Sequence, residues 1–126
     1  MIIAKEKRKN NIIEYVLYMW QLEDMLRACK FEETTIKNRM VDAFDQPIEV
    51  LTEIQSWYKE LAETMHTEQI KEKGHLQVVQ NSVSDLFDLH LRLLDSPEQI
   101  EYQNKYREAA PYLKEFTAKL QNTPLN

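Results

Sequence analysis

The chain has 126 residues, a net charge of −5 and a hydrophobic fraction of 43%. That acidic surplus repels phosphate and argues against a nucleic-acid-binding protein, and the longest uninterrupted apolar run, Tyr15 to Trp20, is too short to span a bilayer. One glycine and four prolines leave few residues for the positive-φ turns that hairpins need, so the composition points to helices, folded as a single domain over 1–126.

The N-terminus, Met1-Ile2-Ile3-Ala4, meets charges at once and lacks the apolar core of a signal peptide. Lys5, Lys7, Arg8 and Lys9 against Glu6 carry a local +3, leaving −8 for the remainder. Basic residues at a helix N-terminus oppose the macrodipole. The first long helix is therefore expected to start at Asn10 or Asn11, both good N-caps. It runs to Lys30, and from Ile12 to Leu22 its apolar residues point in every direction. A helix that is apolar all round is expected to be buried on most sides. Beyond Trp20 the stripe narrows to Leu22, Met25, Leu26 and Cys29, while Glu23, Asp24 and Arg27 take the other side. The single Cys29 has no internal partner and reads as a small buried hydrophobe in a reducing, cytoplasmic compartment.

Phe31 to Thr35 reads as a turn into a short helix carrying Ile36, Met40, Val41 and Phe44. Pro47 suits the first position of the next helix, with Asp45 or Gln46 as its cap. Leu51, Ile54, Tyr58, Leu61 and Met65 form an amphipathic stripe that fades near Thr67. Gly74 is a left-handed stop or a hinge. A further helix over Leu76–Asp95 puts Leu76, Val79, Val83, Leu86, Phe87, His90, Leu93 and Leu94 on one face. Ser96-Pro97-Glu98-Gln99 has the pattern of a helix start with Ser as cap and Pro at the first position. The helix that follows carries Ile100, Tyr102, Tyr106 and Ala110, and Pro111 kinks it or opens a sixth helix with Leu113, Phe116 and Leu120. The fold class is all-α: an antiparallel helical bundle of four main helices with one or two short ones.

Four stretches, Ile3-Ala4-Lys5-Glu6-Lys7-Arg8-Lys9, Tyr18-Met19-Trp20-Gln21-Leu22-Glu23-Asp24, Gly74-His75-Leu76-Gln77 and Asp88-Leu89-His90-Leu91-Arg92-Leu93-Leu94, resemble a family of bacterial proteins known only as a domain of unknown function. The resemblance implies an all-helical cytoplasmic protein and offers no activity to carry over. Relatives continue past the equivalent of Asn126 into another apolar helix. The resemblance therefore implies that this chain lacks part of the usual cover, which a partner chain would supply.

His90 is the sharpest single candidate for chemistry, because it sits at the centre of an apolar face and each ring nitrogen needs a partner there. Glu14 and Gln21, seven residues apart on the first long helix, are the nearest polar partners that periodicity supplies. These three define a candidate pocket, although a satisfied core histidine is the simpler reading of His90. His66, His75 and His90 with Glu23 and Asp24 lack the spacing of any helical metal motif. Glu23 and Asp24 project about 100° apart on a helix and read as a solvated face rather than an acid–base pair. No Gly-rich phosphate loop or nucleophile motif is present, and no metal or other cofactor is implied.

The expectation is a non-catalytic interaction or scaffold protein, assembled as a homo-oligomer, without nucleic-acid or membrane partners. Tyr15, Trp20 and Met25 on the apolar first helix are its candidate contact residues. The alternative is a small-molecule or metal-binding bundle with a pocket at His90.

Overall fold

A computed structural model describes residues 2–121, and among these the protein is all-α, with six α-helices and one π-helical turn. The helices are α1 (Ile2–Asn10), α2 (Ile12–Ala28), α3 (Glu33–Ile36), α4 (Ile48–Thr67), α5 (Gln77–Asp95) and α6 (Ile100–Gln121), with the π-turn Lys37–Val41 after α3. The chain divides into two compact units, Met1–Ser84 and Asp85–Asn126, with the boundary inside α5.

In the first unit, Asn11 ends α1 and starts α2. Its extended backbone breaks the helix, and its side-chain oxygen accepts from the Ile13 and Glu14 amides at 3.1 and 3.2 Å. The basic residues Lys7, Arg8 and Lys9 thus fall in the last turn of a separate helix, where the macrodipole favours cations. The conflict that argued for a later helix start does not arise. Lys7 pairs with Glu14 at 3.7 Å and lies over the Tyr18 ring, and Arg8 lies over Tyr15.

α2 ends in a turn with Lys30 at φ 54° and Phe31 at φ 57°, and the Phe31 amide reaches back to Leu26. α4 ends in the same way, with Gln69 at φ 61° and Ile70 bonding Met65. Both are left-handed caps of the Schellman kind built without glycine. Pro47 sits one residue earlier than expected, at the cap of α4 rather than inside its first turn.

The core of this unit is formed by Tyr15, Val16, Met19, Leu22 and Leu26 of α2 with Met40 and Val41 of the π-turn. Ile54, Tyr58 and Met65 of α4, Leu76 with Val79 at the start of α5, and Ala4, Cys29 and Ile36 also belong to it. The Tyr58 hydroxyl donates to Tyr18, and burial pushes the Tyr58 phenol far above its ordinary range, with neighbouring Tyr18 adding to the rise. The expectation of a mast buried on most sides is corrected here. Ile13, Leu17 and Met25 are 57, 52 and 42% exposed, because the other helices of the unit cover one stripe of α2 and leave the opposite side bare.

The second unit is the later part of α5, a turn and α6. Ser96–Gln99 forms that turn, closed by the Gln99 amide on Ser96, so α6 starts at Ile100 rather than directly after a Ser96 cap. Gln103 fastens the turn, its amide donating to the carbonyls of Ser96 at 2.6 Å and Leu93 at 3.3 Å. Pro111 does not divide the last helix, and α6 runs through it for 22 residues. No side chain described in this unit is buried.

Candidate functional site

The most constrained polar cluster lies where α2 meets the start of α5. Glu23 is fully buried, on the same stripe as Val16, Met19 and Leu26. A carboxylate is tolerated there only with donors around it. Two are present: its Oε2 accepts the Leu76 amide at 2.8 Å, and its Oε1 lies 2.7 Å from His75 Nδ1. Glu68 accepts the next amide, that of Gln77, at 2.8 Å. Two carboxylates from other parts of the chain thus occupy the first N–H groups of α5, where unpaired donors and the positive end of the dipole favour an anion.

Trp20 stacks on His75 with ring centroids 5.0 Å apart, and its Nε1 is buried with no hydrogen-bond partner among the described residues. One turn further along α2, Arg27 donates to the carbonyls of Ile70 and Gly74 and pairs with Asp24 at 3.2 Å. Gly74 itself has φ +103°, a conformation that side chains disfavour. The chemistry open to this junction is narrow. Glu23 orients His75 through Nδ1, which leaves Nε2 as the ring's other polar atom on a side chain 44% exposed. The same contacts pin the Gly74-His75-Leu76 segment to α2, a structural task.

A groove of about 550 Å³ lies elsewhere in the first unit, between the end of α2 and α4, lined by Phe31, Ile36, Lys59, Ala62 and His66 with Lys71 over the Phe31 ring. It mixes an apolar floor with a rim of both signs, Glu33 and Glu63 beside Lys59 and Lys71.

In the second unit, His90 Nδ1 bonds the Tyr102 hydroxyl, and Tyr106 stands edge-on to the imidazole at 4.7 Å, with Phe87 at 6.3 Å. Glu14 is exposed and held by Lys7, and Gln21 is exposed; both belong to the first unit. The partner found for His90 is the tyrosine of the facing helix, which helix periodicity on α2 had no means to supply. Of the candidate contact residues, Tyr15 is buried, Trp20 is half-buried and Met25 is exposed. Sequence reasoning placed Glu23 on a solvated face and missed its burial. The signal was its position on the Val16, Met19, Leu26 stripe, three and four residues from its neighbours.

Among the described residues no group of His, Cys, Asp and Glu could hold a metal ion, and no helix is long and apolar enough to cross a membrane. Among the described residues the protein is all-α, its polar cluster ties α2 to the start of α5, and its second unit leaves apolar side chains exposed. The chain belongs to the family described as Domain of unknown function (DUF4924), whose model matches residues 1–126. The Trp20-Gln21-Leu22-Glu23 and Gly74-His75-Leu76 stretches, 50 residues apart in sequence, are the two that meet at the buried carboxylate. No curated protein and no solved structure matches the chain.

Proposed function

We propose that this protein is a non-catalytic helical interaction protein that self-associates through its second unit. One observation supports this reading above the others: α6 carries a run of apolar side chains left open to solvent. Leu113, Phe116 and Leu120 are 52, 60 and 49% exposed, and Phe87 on α5 is 59% exposed. Contiguous apolar surface of this kind marks an interaction site more often than a free face. The buried, unpaired Cys29 suits a reducing compartment, which is where we place the protein. Subunit association raises melting temperature with concentration. Sedimentation and thermal melting across a hundredfold concentration range test the reading. A monomer at high micromolar concentration with a constant melting temperature overturns it.

A second reading, a small-molecule-binding helical protein, is favoured by the groove at Phe31. Lys59 and Lys71 with Glu33 and Glu63 around an apolar floor suit a small zwitterion with a hydrophobic body. A thermal-shift screen of aromatic amino acids, repeated on Lys71→Ala, tests it: no shift with any of them removes this reading.

A further inference from the structure

We propose that the groove at Phe31 and the cavity beside it form one site for a free aromatic α-amino acid that carries a hydroxyl at the far end of its ring. This rests on the small-molecule reading and specifies which zwitterion the site prefers.

The second cavity, of about 350 Å³, is lined by His66, Gln69, Lys71, Glu72 and Lys73. His66 and Lys71 also line the groove, so the two spaces adjoin at these side chains. Their chemistry differs. Phe31, Ile36 and Ala62 give the groove an apolar floor, whereas every residue lining the second cavity is polar. On α4, Lys59, Glu63 and His66 follow at i, i+4 and i+7, on one face and about 10 Å from end to end. That is the reach of an aromatic amino acid from its carboxylate to the far end of its ring. Lys59 and Glu63 stand one turn apart with opposite charges, and neither has an ion-pair partner among the described residues. They match the carboxylate and the ammonium that share one carbon of an α-amino acid. The ring then lies on the apolar floor, and its far end enters the polar cavity. Two lysine ammoniums and the Gln69 amide donate there, and Glu72 accepts. A hydroxyl both donates and accepts, so it suits that mixture, whereas a phosphate or carboxylate at the same end would meet the Glu72 charge.

The backbone on both sides supports this reading. A helix that ends in a left-handed residue usually places glycine there, because a Cβ in that conformation costs free energy. α4 ends instead on Gln69 at φ 61°, and α2 on Lys30 and Phe31 at φ 54° and 57°. The α2 cap needs one left-handed residue and has two. Phe31 lines the groove and Gln69 lines the polar cavity. Lys71, which lies 5.3 Å over the Phe31 ring, belongs to both spaces. Cap geometry alone gives no reason for a side chain at either position, since glycine would serve better. Strained residues of this kind gather where a ligand is held, and a ligand that needs the Phe31 ring and the Gln69 amide accounts for both.

The experiment is calorimetric titration of the full chain with L-tyrosine and with L-phenylalanine. It is repeated on the double variant Gln69→Gly, Lys73→Ala, with thermal melting of both proteins. The wild type is expected to bind tyrosine about fivefold or more tighter than phenylalanine, the contribution of one hydrogen bond in an open site. The double variant is expected to bind both amino acids with the wild type's affinity for phenylalanine. It should melt no lower than the wild type, since glycine suits the left-handed cap, so the lost preference reports on the site and not on the fold. Equal affinities of the wild type for the two amino acids overturn the role of the polar cavity and leave the small-molecule reading standing. No binding of either amino acid overturns both. A tyrosine preference that survives in the double variant places the hydroxyl elsewhere and overturns the proposed site.

Discussion

Glu23, on the second helix, and His75, just ahead of the fifth, meet through a 2.7 Å contact although they are 52 residues apart, with the carboxylate fully buried and the imidazole partly open to solvent. The same carboxylate holds the Leu76 amide, so one side chain both orients the histidine and caps the helix that follows it. Glu23→Ala should therefore strand a buried backbone N–H and lose a charge-assisted bond, at a cost of about 2–3 kcal/mol. Glu23→Gln keeps an acceptor for Leu76 and should cost less. Urea titration of the three proteins checks the order; an alanine variant within 0.5 kcal/mol of wild type would show the contact to be idle.

Trp20 carries a buried indole N–H without a partner among the described residues, beside the His75 ring. Removing that donor while keeping an aromatic ring relieves a desolvation cost. Trp20→Phe is expected to leave stability within about 1 kcal/mol of wild type, whereas Trp20→Ala, which opens a cavity, should lose about 3 kcal/mol. Equal losses for both variants would mean that the indole nitrogen is satisfied in solution.

Gly74 combines φ +103° with close quarters, since a Cβ there would lie 3.2 Å from Ile70 Cγ2. Gly74→Ala should destabilise by about 1 kcal/mol or more. Because the Gly74 carbonyl receives Arg27, the same substitution should disturb that anchor. A combined Gly74→Ala, Arg27→Ala variant should then lose less than the sum of the single losses. Full additivity in denaturant titration would separate the two.

Tyr58 donates to Tyr18, and its phenol is held above the ordinary value of 10.0, chiefly by burial. A raised folded pKa means that the unfolded chain loses its proton first. The contribution is present below pH 10 and is lost as pH rises from there toward the folded value. Stability should fall above about pH 10, and Tyr58→Phe should flatten that fall. Parallel alkaline titrations by circular dichroism decide it; identical slopes for the two proteins would place the alkaline transition on other groups.

Most of the helical framework was legible in the chain. The Asn11 cap, the amphipathic stripe of α4, the left-handed Gly74 and the apolar face of α5 are local features, set by backbone preference and by the repeat of apolar residues over a few turns. Less was legible at the termini of helices. Pro97 sits in a turn ahead of α6, and Pro111 lies within that helix, because a proline pattern states which backbone angles are allowed and not which neighbouring contacts will hold them.

The sequence by itself determined the all-α class and the apolar stripe of α4, since both depend on residue types and their spacing along the chain. Only the tertiary structure decided the role of Glu23. By hydropathy a glutamate belongs in water, and it can be buried only when donors reach it. Those donors, the Leu76 amide and the His75 ring, come from a segment more than fifty residues away. The start of α5 shows the same dependence from the other side, since its first amides are received by Glu23 and Glu68, acceptors borrowed from α2 and from the end of α4. His90, too, is satisfied across a turn by Tyr102 rather than by any residue of its own helix. A buried polar group is fixed by whichever partner the fold brings within hydrogen-bond distance, and periodicity along a single helix carries no information about that partner.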